Sequence, residues 1–217
     1  MTAVKLRDLA YDSFTERLLA RDIRPGQFVS QRELVALTGV PLGAIRELVP
    51  RLEAEGLIRT VPQRGMQVAH VDVSLIRNAF QFRLFLEREA TEIFARDADD
   101  AAIARLKAEH VDIVVRAADG VDDALIAEAQ AVDLRLHETI VDHLDNEIVS
   151  KAFRVNWIKV RLTRQSETRL FAPIVVPVMR DHLAVIEALE RRDAAGAVDA
   201  ITQHITKSRN RALDIGP

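Results

Sequence analysis

Residues 25–68, PGQFVSQRELVALTGVPLGAIRELVPRLEAEGLIRTVPQRGMQV, decide how this chain folds. Before them, Leu6, Leu9, Ala10, Phe14 and Leu18 recur at helical spacing over residues 5–20, and Pro25-Gly26 ends that run. Ser30-Gln31-Arg32-Glu33 is a capping box, so a short helix starts there, and Gly39 is a natural left-handed stop for it. Pro41 opens a third helix, since its missing N–H costs nothing in a first turn. One face of that helix is Ile45, Leu48, Val49 and Leu52; the other shows Leu42, Gly43, Arg46 and Glu47. Residues 56–61 then read as a strand, 62–65 as a turn and 66–69 as a returning strand. Helix, helix, tight turn, helix and β-hairpin is the order of a winged helix-turn-helix.

From Asp72, a capping residue, the periodicity turns helical throughout. Six runs fall near 73–96, 99–118, 121–143, 146–167, 174–191 and 194–213. Breaks lie at 97–100, 119–120, 145–146 and 171–173, with a softer one at 192–193. Interruptions this short join antiparallel neighbours in a bundle. The expected fold is therefore mostly α, a winged helix-turn-helix over residues 1–71 followed by an all-α antiparallel helical bundle over 72–217.

Composition narrows the function classes. A chain of 217 residues that is 48% hydrophobic can bury a real core. The absence of cysteine excludes disulfides, thiolate ligands and a thiol nucleophile. The start, MTAVKLRDLAYDSF, has no continuous apolar run of the signal-peptide kind, and no stretch approaches the length of a membrane span. The expected location is cytoplasmic. Residues 1–72 carry 10 Lys and Arg against 9 Asp and Glu, too even a balance for an architectural, nonspecific DNA binder. Residues 56–71 nevertheless hold Arg59 and Arg64 with no acid, a weakly basic patch on the hairpin. No nucleophile elbow and no glycine-rich phosphate loop occurs, so no catalytic residue is assigned.

One constellation points to a metal. Asp133 and His137 stand four apart in the helical run DLRLHETIVDHL, which stacks them on one face a turn apart. His182 and His204 each sit in a later helical run among apolar neighbours. A carboxylate with three imidazoles suits a borderline divalent ion such as zinc, nickel or manganese. His70, His110 and His143 read as ordinary core or surface histidines.

The head resembles the GntR-type bacterial transcription regulators of the FadR-like branch, on the 25–68 stretch quoted above. The remainder resembles that branch's helical FCD effector domain, on Phe82-Arg83 and Glu87, Asp133 with His137, His182 in RDHLAVIEALERRD and His204 in DAITQHI. The resemblance implies operator DNA contacted by Arg32, Arg46, Arg64 and Gly65, the glycine letting the wing backbone approach the duplex. It implies that Asp133, His137, His182 and His204 act together as metal ligands. It also implies a small organic-acid effector met by Arg83; beside that, Asn156, flanked by Phe153, Trp157 and Val160, is a candidate for a further polar contact in the same cavity. A plainer reading of Arg83 is a surface ion pair with Glu87, and of Asn156 a satisfied amide. One departure stands out: many members have Ser-Arg-Thr-Pro where this chain has Pro41-Leu42-Gly43-Ala44, so the operator should differ from the common one. The expectation is a metabolite-responsive repressor, a homodimer; the alternative is a metal-dependent helical-bundle enzyme acting on a small carboxylate.

Overall fold

The structure, a computed structural model, describes residues 3–163 and 172–213. Among them, α1 (Ala3–Leu19), β1 (Phe28–Val29), α2 (Gln31–Thr38), α3 (Leu42–Ala54), β2 (Ile58–Val61) and β3 (Gly65–Val68) come first. Six longer helices follow: α4 (Val73–Asp97), α5 (Asp100–Arg116), α6 (Asp123–Asp142), α7 (Glu147–Thr163), α8 (Ala172–Glu190) and α9 (Ala194–Ala212). The chain divides into two compact units. One is Met1–Leu75 with Ile158–Gln165; the other is Ile76–Trp157 with Ser166–Pro217. The end of α7 thus groups with the first unit, a partition the 1–71 and 72–217 reading does not contain. The expected extension of α7 to residue 167 lies outside the described residues, as does Phe171. The anticipated break at 172–173 is instead the first turn of α8.

In the first unit, α1, α2 and α3 pack together. Their core is Ala10, Phe14 and Leu18 from α1, Leu34 from α2 and Ile45, Leu48 and Leu52 from α3, all inaccessible to solvent. Leu9 was expected on the same face of α1 but is 48% exposed. The buried stripe runs strictly i, i+4, i+8 through Ala10, Phe14 and Leu18, and Leu9 falls on its flank. The capping box closes as its sequence requires: Glu33 N–H donates to Ser30 Oγ at 3.2 Å, and Ser30 N–H donates to Glu33 Oε2 at 2.6 Å. Gly39 ends α2 at φ +70°.

The sheet is antiparallel with strand order β1-β3-β2. β1, paired through Phe28↔Gln67 and Val29↔Met66, was not foreseen, because two residues carry no readable alternation. It explains Gly65. That residue opens β3 at φ +89°, and a Cβ there would stand 3.0 Å from the Val29 carbonyl oxygen. Any side chain meets both a left-handed backbone and the neighbouring strand.

In the second unit, α8 packs on α9, α5 and α6, and α5 on α6. One apolar cluster there joins Ile113, Leu125, Ala129, Val132, Val175, Val178 and Met179. Among the described residues no helix is long and apolar enough to cross a membrane.

The Gly65 geometry yields a stability prediction. Gly65→Ala should destabilise the first unit by about 1–2 kcal/mol, the usual cost of a left-handed L-residue. Urea unfolding of the full chain checks it; an unchanged midpoint would show that the wing relaxes freely.

Candidate functional site

Two sets of residues carry chemistry, and each lies within one unit. In the first unit, Arg32 on α2, Arg46 on α3 and Arg64-Gly65 at the hairpin tip are all exposed. Arg64 is stacked, its guanidinium carbon 4.2 Å from the Phe28 ring centroid, so β1 also holds the wing's arginine in place. Arg59 is engaged differently: its guanidinium donates to Gln67 Oε1 across the hairpin at 2.9 and 2.5 Å. α3 starts at Leu42, partly exposed, behind Pro41, which provides no side-chain cap. Its outer face is Gly43, Arg46 and Glu47, as the periodicity predicts.

In the second unit the bundle brings four residues together. Asp133 and His137 come from α6, His182 from α8 and His204 from α9, and all four are buried. One ligand-capable atom from each lies within 4.8 Å of the others. His182 Nε2 is 3.2 Å from His204 Nε2 and 3.5 Å from Asp133 Oδ1. Two imidazole nitrogens bound to one ion at about 2.1 Å would stand about 3.0–3.4 Å apart, a range that contains the observed spacing, which is also that of a hydrogen bond between the two rings. His70, which is exposed, and His143, which packs edge-on against Phe94 at 5.0 Å, stand outside this group.

Arg83 and Glu87 lie against the cluster, one turn apart on α4 and both buried. Their pair is the i, i+4 contact visible in the sequence, but it lies in the interior and not on the surface. Arg83 Nε donates to Glu87 Oε1 at 2.6 Å and Nη2 to Oε2 at 3.3 Å. Nη1 has no partner. Glu87 Oε2 also accepts from His137 Nδ1 at 2.5 Å. Burial alone would raise the Glu87 pKa; Arg83 and His137 outweigh it through charge and hydrogen bonding and bring it down to about 2. A proton held on His137 Nδ1 leaves the Nε2 lone pair for an ion, the carboxylate–histidine arrangement common behind metal ligands.

Sequence reasoning did not single out three neighbours of the site. Glu87 entered as a mark of the resemblance and as a partner of Arg83 but with no role at the site, and its contact with His137 crosses from α4 to α6. Trp157 on α7, the chain's single tryptophan, lies 5.3 Å from the His137 ring and 4.9 Å from the Arg83 guanidinium. His110 on α5 is fully buried, with Nδ1 2.6 Å from the Leu106 carbonyl and Nε2 3.1 Å from His182 Nδ1. Asn156 takes the satisfied role for its amide nitrogen, which donates to the Ala79 carbonyl at 3.0 Å.

The comparisons with known proteins agree with this architecture. Residues 6–68 match the model for bacterial regulatory proteins of the gntR family, and residues 78–207 match the FCD domain. The chain is 20% identical to the uncharacterized HTH-type transcriptional regulator YdhC of Bacillus subtilis, over 89% of this chain and 85% of that one. It is 24% identical to the Nta operon transcriptional regulator of Aminobacter aminovorans, over 88% and 87%. Among solved structures, E. coli McbR/YncC superposes with a TM-score of 0.79 at 14% identity, covering 96% of this chain and 97% of that one.

The buried histidines give the protein without metal a pH signature. Desolvation lowers the pKa of His182 well below 6.5 and that of His110 below 6.5. The unfolded chain therefore takes up these protons first, and stability falls as pH drops through 6.5, by up to about 1.4 kcal/mol per pH unit for each group. Glu87 has the depressed-acid behaviour: its contribution is present above the ordinary value of 4.5 and is lost as pH falls from there towards 2. Urea midpoints of chelator-treated protein should drop between about pH 8 and about pH 5.5, and His182→Leu should flatten that slope. A slope unchanged by the substitution would count against a neutral, buried His182.

Proposed function

The chain belongs to the GntR family of bacterial regulators and carries its FCD domain, which makes it a DNA-binding transcription regulator and not an enzyme; from that premise we propose a homodimeric cytoplasmic repressor whose helical unit senses a small organic anion beside a divalent metal. The observation that carries the metal reading is the convergence of four buried ligand atoms from Asp133, His137, His182 and His204 within 4.8 Å. The donor set of three nitrogens and one oxygen suits zinc, nickel or manganese. When bound, the ion would offer its remaining coordination positions to an anion oxygen.

The anion reading rests on charge. Arg83 is positive, Glu87 is ionised and Asp133 would ligate as a carboxylate, so these three groups sum to −1. Such a site repels an anion. A divalent ion turns that sum to +1, and a monovalent anion then neutralises it. Arg83 Nη1 is the donor available to the incoming carboxylate, since Nε and Nη2 already serve Glu87. Asn156 would join only by giving up its bond to Ala79.

In the head, Arg32, Arg46 and the Arg64-Gly65 wing would meet operator DNA, with two copies on a two-fold-related site. Leu42 has no donor for guanine but suits a thymine methyl, which favours an operator unlike the common one.

Elemental analysis of protein purified without a histidine tag should find about one divalent metal per chain, lost in His182→Ala/His204→Ala protein. Metal retained by the double variant would sink the assignment. In a thermal-shift screen, small carboxylates should stabilise metal-loaded protein by about 2.7 kcal/mol at a hundredfold excess over Kd, with Trp157 fluorescence as a second readout. Arg83→Lys keeps a charge against Glu87 but loses the planar fork, and should weaken the anion response while keeping the metal. Equal anion binding after chelation would refute the charge argument. For DNA, Arg46→Ala should cost about 1–3 kcal/mol if Arg46 reads a base edge, measured by gel shift on the gene's upstream region against scrambled competitor.

A further inference from the structure

His110 is outside the four-residue cluster, yet its hydrogen bonds determine what His182 can do. The Leu106 carbonyl oxygen only accepts, so the 2.6 Å contact makes His110 Nδ1 a donor. The proton of the neutral ring is thereby placed on Nδ1, and Nε2 carries a lone pair. That lone pair faces His182 Nδ1 at 3.1 Å, so His182 Nδ1 donates to it. The His182 lone pair is then on Nε2, the atom 3.2 Å from His204 Nε2 and 3.5 Å from Asp133 Oδ1. The rings of His110 and His182 meet edge-on, with centroids 5.1 Å apart, which fixes the plane of His182 as well as its tautomer.

We propose that His110 is an outer-sphere positioning residue of the metal centre: through Leu106 O, His110 and His182 Nδ1 it holds His182 as an Nε2 ligand aimed at Asp133 and His204. This rests on the metal reading of those residues. It makes His110 the counterpart of Glu87, one backing His182 from α5 and the other backing His137 from α4. The two backing acceptors differ in charge. Glu87 is anionic and adds to the electron-donating power of its ligand; His110 is neutral and orients its ligand without adding charge. A chain of two imidazoles ending on a backbone carbonyl therefore orients His182 without adding another carboxylate to the interior.

The test uses full-length, chelator-treated protein titrated with Zn2+ against a chromogenic chelator, and with Co2+ followed by its visible absorption. His110→Phe fills the space with no acceptor, and His110→Gln restores an acceptor near the position of Nε2. His110→Phe should weaken Zn2+ binding about 10–100-fold and shift the cobalt bands, and His110→Gln should recover affinity to within about threefold of wild type. If phenylalanine is not accommodated, the smaller His110→Leu carries the same prediction. Wild-type-like affinity in the folded Phe or Leu variant overturns the proposal while leaving the metal reading intact. Equal losses in the Gln and Phe variants with unchanged cobalt bands also overturn it, since packing alone would then explain them. Failure of wild type to bind either ion removes both the metal reading and this inference.

Discussion

The buried pair of Arg83 and Glu87 sets the terms for the helical unit. Two charges inside an apolar bundle are tolerable only when matched and hydrogen-bonded, and removing one partner of such a pair costs about 3–5 kcal/mol. Here the match is nearly complete on one side: Glu87 accepts from Arg83 and from His137. The guanidinium also has aromatic neighbours, 4.9 Å from the Trp157 ring and 5.8 Å from the Phe80 ring. These contacts join α4, α6 and α7, so the pair pins three helices about one point. An interior of leucine and valine would be as stable or more so. A polar interior of this kind is therefore better understood through what it holds ready than through what it adds to stability.

Directionality is the next consequence. Each imidazole has two nitrogens, and a partner on one decides the role of the other. Glu87 accepts a hydrogen bond from His137 Nδ1 and, on the proposed tautomers, His110 accepts one from His182 Nδ1, which would send both Nε2 lone pairs to the same small volume. Asp133, one turn from His137, brings a carboxylate to it. Side chains on rigid helices, backed by partners that are themselves buried, would give the proposed metal a preorganised ligand sphere. The head works the other way. The side chains proposed to meet DNA are exposed, and β1 positions the wing: Gly65 fits beneath the Val29 carbonyl, and the Phe28 ring supports Arg64.

Local pattern was enough to read most of the fold, because helices with short breaks declare themselves by period and caps. The capping box at Ser30–Glu33, the left-handed Gly39 and the buried face of α3 all follow from neighbours within four residues. Partners far apart in sequence were a different matter. Asp133 and His137 share a helix face and were readable as a pair; His182 and His204 were grouped with them by residue type and apolar helical surroundings, and the resemblance to a family gave that grouping its weight. The Arg83–Glu87 spacing was legible, but its burial was not, since helix periodicity does not say which of two faces a neighbouring helix will cover. His110 was set aside as ordinary, because its contact with His182 spans 72 residues. β1 escaped notice because two residues cannot show a period, and only its pairing with β3 makes it a strand.

Charge links the metal to the signal on this reading. A ligand shifts an equilibrium only by the difference in its affinity for the two states. With Asp133 counted as a carboxylate, the site made by Arg83, Glu87 and Asp133 would be formally anionic before a divalent ion enters, so on this reading an anion would discriminate first between metal-free and metal-loaded protein. Linkage makes this reciprocal: an anion that prefers the loaded state tightens the ion by the same factor. The Arg83 guanidinium shares in both events, because its Nη2 lies 3.1 Å from His137 Nε2, the lone pair a metal would claim. An ion arriving at His137 must displace that contact, and the freed donor then joins Nη1 in facing an anion. On the proposed reading, metal loading would prepare the arginine as well as the charge, and the helical unit would respond to the anion only once the ion is in place.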